Sequence, residues 1–129
     1  MKHLFLLTAF LCTFAFQGVQ AQDEEPFFVV VDQMPEFPTG QQGLGDYIKS
    51  NLSYPRTALD AKVEGIVIAS FIVEKNGSIS NVEIVRSLGY GCDEEVIRLI
   101  KMMPKWKPGK KDGKAVRVKL SIPVQFKRG

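Results

Sequence analysis

The chain has 129 residues, 45% of them hydrophobic and 24% charged, a length that suits one domain. Its net charge of +3 hides an asymmetry: residues 22–100 carry 6 Lys+Arg against 13 Asp+Glu, a balance of −7, whereas 101–129 carry 10 against 1, a balance of +9. The only histidine is His3 and the cysteines are Cys12 and Cys92, which excludes histidine acid–base chemistry, the usual zinc sites and, once a leader is removed, an internal disulfide.

Lys2 and His3 precede an apolar run from Leu4 to Phe16, and Val19-Gln20-Ala21 supplies small residues for cleavage before Gln22. Residues 1–21 are therefore expected to be an export signal, since the run falls short of the roughly 20 residues that span a bilayer. The alternative is an uncleaved anchor that tethers the protein to the inner membrane. Leu11 is too large for a lipid-attachment signal at Cys12. Removal of the signal leaves 108 residues (129 less 21), enough to bury roughly 60–70% of the unfolded surface in one core.

Residues 22–33 read as a short acidic lead followed by an edge strand over Phe27 to Val31, and residues 34–129 as the folded domain. Met34-Pro35-Glu36-Phe37-Pro38-Thr39-Gly40 is an irregular loop. Leu44, Tyr47, Ile48 and Leu52 recur at helical spacing, although Gly43 and Gly45 weaken it. Pro55 suits the first turn of a second short helix with Ala58, Leu59 and Ala61 inward. Two β-rich runs between Glu64 and Ser87 flank Asn76-Gly77, which predicts a two-residue hairpin turn pairing Lys75 with Ser78, Val73 with Ser80, Phe71 with Val82 and Ala69 with Ile84.

Asp93 is placed to cap the next helix, with Glu94 and Glu95 at its positive end and Val96, Leu99, Ile100 and Met103 as its buried stripe, until Pro104 ends it. Trp106-Lys107-Pro108-Gly109 and Asp112-Gly113 read as turns. From Val116 to Phe126 apolar and polar residues alternate, which predicts one half-buried strand. The expected architecture is α+β, a small antiparallel sheet with two to three helices packed on one face. The acidic and basic portions should attract each other. The basic residues of the C-terminal portion are expected to form a solvated face; alternatively they attract an acidic protein segment, or the face from Lys105 to Lys119 holds anionic lipid or polysaccharide, and no aromatic residues interleave with Lys110, Lys111 and Lys114 to stack on bases.

Catalytic chemistry finds little support. Cys92 has no base beside it, and Asp93, Glu94 and Glu95 oppose thiolate formation. Glu94 and Glu95 are adjacent and not a facing pair, and the glycines at 40, 43 and 45 precede no Lys-Ser/Thr. No enzyme activity and no cofactor or metal is expected.

Taken in order, Tyr54-Pro55, Ala58, Glu64-Gly65, the hairpin at Asn76-Gly77, Val82 to Ser87, the helix over Asp93 to Met103, Trp106-Lys107-Pro108-Gly109 and the Val118 to Phe126 strand resemble the C-terminal domain of TonB energy transducers. The resemblance covers Asn51 to Phe126, and Pro35-Glu36-Phe37-Pro38 is similar to the lead-in of many such proteins. It implies a periplasmic domain that binds outer-membrane TonB-dependent transporters by adding a short peptide as a strand beside the last strand, here Val116 to Phe126. It also implies coupling to ExbB and ExbD through an amino-terminal membrane helix, which an uncleaved signal would have to supply. Partner-binding residues carried by the resemblance are Asn51, Tyr54 and Pro55, together with Arg117, Lys119 and Ser121 on the strand; Trp106 is assigned to packing. An open edge also admits a homodimer. The sequence departs from the family in having neither a spanning anchor nor a long proline-rich spacer. Protein recovered from the envelope should begin at Gln22, and an intact-mass measurement that finds the first 21 residues retained supports the tethered form instead.

Overall fold

The computed structural model describes residues 26–28 and 30–129; the export signal expected at 1–21 and its cleavage position lie outside them. The almost unbroken apolar run Gly65–Val73 forms β1, the middle of an antiparallel sheet in which β2 (Ile79–Arg86) and β5 (Val118–Phe126) lie on either side. A middle strand is hidden from both directions, so such a run suits it. Val67, Ala69, Phe71 and Val73 are fully buried on one face, and Ser70 and Ile72 are nearly as buried on the other. The Ser70 hydroxyl has no hydrogen-bond partner among the described residues.

The helices cover the face that carries Phe71. Helix α1 (Gly40–Asn51) has no side-chain cap and no fully buried residue, so packing holds it more than propensity does. Leu44, Tyr47 and Ile48 lean on the core, Phe37 meets Tyr47 at 5.5 Å between ring centroids, and the Tyr47 hydroxyl donates to the Leu99 carbonyl at 2.8 Å. In α2 (Arg56–Asp60) only Ala58 turns inward; Leu59 and Ala61, expected beside it, are exposed. Five residues make little more than one turn, too short to present a stripe. Helix α3 (Cys92–Lys101) buries Val96, Leu99 and Ile100 as its spacing requires.

Asp93 does not cap α3. Gly91 occupies the cap position in a left-handed conformation, and the Asp93 carboxylate reaches back to accept from the Leu88 and Gly89 amides and the Ser87 hydroxyl. These bonds hold its carboxyl below the ordinary range although burial alone would raise it. The carboxylate thus closes the loop that leads into the helix.

The hairpin differs from its expected register. Gly77 donates to the Glu74 carbonyl and Glu74 to that of Ser78, which encloses three residues and not two. Val73 therefore faces Ile79 and Ile72 faces Ser80, one residue off the expected pairing. An irregularity at Asn81, where φ is +50°, restores Ser70 to Glu83 and Ala69 to Ile84. Ile79, Val82 and Ile84 still pack on the core, because the bulge absorbs the slip before it can turn the strand over.

One further expectation changes. The strand foreseen from Val116 to Phe126 is divided at Arg117, because β4 (Lys114–Val116) pairs with β3 (Gly109–Lys111) in a separate hairpin while β5 pairs with β1. Asp112 and Gly113 close that hairpin with positive φ at both positions. In the strand foreseen from Phe27 to Val31, the described residues show a parallel bridge between Phe28 and Val118. Beyond it the lead pairs with the basic hairpin region through Gln33 with Lys110 and Glu36 with Lys107, which carries Phe37 into the core against Trp106.

Gly77 is fixed by a close approach. It sits at φ +88°, accepts from the Trp106 amide at 2.9 Å, and an added Cβ would lie 2.1 Å from the Trp106 carbonyl oxygen. Replacing Gly77 with alanine should cost about 2–4 kcal/mol, from left-handed strain plus a backbone collision. A urea titration would show a lower midpoint at unchanged slope; a midpoint equal to the parent's would mean that the Trp106 segment yields freely.

Candidate partner-binding edge

β5 borders the sheet, and the direction of each of its main-chain groups follows from the lead. Phe28 donates to the Arg117 carbonyl and accepts from the Lys119 amide, both at 2.9 Å. Odd-numbered residues of this strand therefore aim their polar groups outward, and Val118, Leu120, Ile122, Val124 and Phe126 aim theirs at β1. Pro123 falls on the outward side, so its missing N–H removes no bond from the β1–β5 ladder. Past Lys119 the outward groups are the amides of Ser121 and Gln125 and the carbonyls of Ser121, Pro123 and Gln125. Among the described residues no strand lies against them.

The opposite border is less suited to pairing. β2 is interrupted near Asn81 and again near Val85, and such irregularities twist an edge away from a straight partner.

Side chains at the start of β5 are engaged inside the chain. The Arg117 guanidinium makes a two-pronged bond to Glu74, with Nε to Oε1 at 2.8 Å and Nη2 to Oε2 at 3.2 Å. Ser80 donates to the same carboxylate, and Arg117 is only 9% exposed. The Arg117 bonds hold the Glu74 carboxyl below its ordinary value of 4.5, against burial and with help from Ser80. Lys119 places Nζ 5.3 Å from the centre of the Phe27 ring. Ser121 is exposed and stands opposite Ser70.

Asn51, Tyr54 and Pro55 sit elsewhere. Tyr54 packs edge-on against Phe126 at 5.5 Å and its hydroxyl donates to the Val63 carbonyl, which puts it at the far end of β5. At ~3.3 Å per residue that end is roughly 25–30 Å from Arg117. Asn51 gives its side-chain amide to the Tyr47 carbonyl and its own carbonyl to Arg98, which also pairs with Glu95 at 2.6 Å. Pro55 starts α2 and would lie 3.2 Å from a Cβ at Gly91. Of these three only Tyr54 is placed against β5, so the six residues do not form one patch.

The sequence did not point to a cleft of about 270 Å³ beside Ser121. Met34, Pro35, Gln41 and Leu44 line one side of it, and Leu120, Ser121 and Ile122 the other, with Trp106 completing the lining. Trp106 itself is core, 6% exposed and edge-on to both Phe37 and Phe71, and its indole N–H has no partner among the described residues. No residue pattern announces such a cleft, because its two sides come from segments some 80 residues apart. The attraction expected between acidic and basic portions is present in Glu74 with Arg117, Glu64 with Arg128 and Glu36 with Lys107.

The Cys92 thiol is fully buried, and burial followed by Asp93 and Glu94 pushes its pKa up, so it is a poor nucleophile. Among the described residues no group of His, Cys, Asp and Glu is arranged to hold a metal. No helix among them is long and apolar enough to cross a membrane.

These elements make an α+β domain whose three-stranded antiparallel sheet has, among the described residues, no strand beside β5 past Lys119. The family described as the C-terminal of the Gram-negative bacterial TonB protein matches residues 50–128, and the chain belongs to that family. Its domain is a periplasmic, non-enzymatic part of energy-coupled transport. Two solution structures of the Helicobacter pylori TonB C-terminal domain, of different lengths, are similar to the chain. One is 24% identical, covering 67% of this chain and 90% of that one, with a TM-score of 0.44. The other is 24% identical, covering 68% and 81%, with a TM-score of 0.43. No curated protein matches the chain.

Because Glu74 titrates lower in the folded chain than in the unfolded one, its pairing contributes fully above about pH 4.5 and is lost as the pH falls below that value. Glu74→Gln should cost about 1.5–3 kcal/mol at neutral pH. It should also flatten the acid limb of stability, measured by urea midpoints from about pH 7 down to pH 3. Parallel limbs for parent and variant would show that Glu74 carries no such linkage.

Proposed function

We propose that this domain works in the periplasm as a receptor for an extended segment of an envelope protein, which adds as a strand to the outer side of β5. In the family the corresponding partner is an outer-membrane TonB-dependent transporter. The observation that carries the reading is the row of outward main-chain groups from Ser121 to Gln125 with no neighbour among the described residues. Lys119 borders that row, Arg117 anchors the strand through Glu74, and Tyr54, with its chain neighbours Asn51 and Pro55, offers a second contact where it packs on Phe126. In this reading residues 1–21 export the protein, 22–33 form the lead and 34–129 the receptor domain. Retention of the leader would hold it at the inner membrane within reach of ExbB and ExbD.

A second reading rests on exposed Lys110 and Lys114 of the β3–β4 hairpin, which suit anionic lipid or polysaccharide. The two differ in salt dependence, since attraction to an anionic surface is screened steeply and a β-ladder is not.

Strand addition predicts an alternating footprint in amide hydrogen exchange. The amides of Ser121 and Gln125 should exchange fast in the free protein and slow on binding. Those of Leu120, Ile122 and Val124 should be slow throughout, because they bond to β1, and Lys119 slow throughout because Phe28 occupies it. Ser121→Pro should weaken binding at least about tenfold with the fold intact, since the amide it removes faces outward. Unchanged binding by that variant, or loss of binding between low and high salt, argues for the surface-charge reading.

A further inference from the structure

We infer that the cleft beside Ser121 is a selectivity pocket for one aliphatic side chain of the added strand. This rests on strand addition to β5 as proposed above and names the chemistry that the edge selects.

Ser121 is the first residue past the Phe28 bridge whose amide and carbonyl are both directed outward and unpaired among the described residues. A chain that bonds to both has its flanking residues on the face of the sheet that carries Leu120 and Ile122. That face holds the cleft, so strand geometry delivers a side chain to it without any further adjustment. The Phe28 bridge stops the incoming strand from sliding toward Arg117, which fixes where its usable length begins.

Size and lining decide the occupant. A volume of about 270 Å³ lies below the roughly 300–1,000 Å³ typical of small-molecule sites, and suits a protruding side chain better than a free metabolite. The lining is mostly aliphatic, thioether and aromatic, with no charged side chain; its polar side chains are Gln41 and Ser121, and Trp106 carries an indole N–H. A charged residue there would lose its hydration with no counter-charge, whereas valine, isoleucine or leucine gains from burial. Met34, Pro35 and Leu44 stand before the range matched by the family, so this side of the pocket is contributed by the chain's own lead-in.

The test uses acetylated, amidated seven-residue peptides of threonine with one central residue, either valine, leucine, glycine or aspartate. Binding is read two ways: by slowed exchange of the Ser121 and Gln125 amides, and by emission of Trp106, the only tryptophan, which lines the cleft. The valine and leucine peptides should bind about tenfold or more tighter than the aspartate peptide and shift the emission. Met34→Glu, at a side that is 48% exposed and so tolerant of substitution, should remove that preference and the emission shift while leaving thermal stability unchanged. If the peptides protect Ser121 and Gln125 but the central residue and Met34→Glu make no difference, the pocket is refuted and strand addition stands. If no peptide protects Ser121 at any concentration reached, strand addition and the pocket fall together.

Discussion

The period of two along β5 is the constraint from which the rest of this structure follows. Because Val118, Leu120, Ile122, Val124 and Phe126 give their main-chain groups to β1 and direct their side chains to the helices, the residues between them have no choice but to face out in both respects. One strand therefore serves as a wall of the core and as an open border. Neither role taxes the other, since burying Val118, Val124 and Phe126 contributes about 1.5–3 kcal/mol each and needs only the even positions.

What keeps that border straight lies at its two ends. At the start, Arg117 turns its side chain into Glu74 just where the chain passes from the small hairpin to the main sheet, and Phe28 bonds across it. At the finish, Tyr54 packs on Phe126 and ties β5 to the segment between α1 and α2. The pairing of Glu74 with Arg117 is largely shielded, with side chains 25% and 10% exposed, and it is made with two prongs. It thus differs in kind from the pair of Glu36 with Lys107, which at 3.9 Å and with both side chains more than half exposed adds little.

Much of the fold was legible because local chemistry and apolar spacing agreed. The helix from Cys92 to Lys101, the β1–β2 hairpin and the alternation of β5 all announced themselves this way. The errors have a common physical origin: a short-range pattern does not report what a segment docks against. Asn76-Gly77 signalled a turn, but the turn encloses three residues and its Gly77 carbonyl is held by the amide of Trp106, a distant contact that the pair itself does not report. Alternation ran unbroken through Arg117, yet the chain changes sheets there because β3 is available to pair with Lys114–Val116. The candidate site divides in the same way. Ser121 and Lys119 were placed on the right strand, while the cleft depends on the lead-in folding back on Trp106, which no spacing records.

Pro123 has a consequence for how the protein behaves among its own copies. An open border with a full set of donors and acceptors is a template on which identical molecules can pair edge to edge. On the outward side of β5 one rung offers only a carbonyl, so a second copy laid along it leaves a partnerless group at the centre of the contact. Any strand laid along this border, from a copy or from another protein, finds one donor fewer at Pro123.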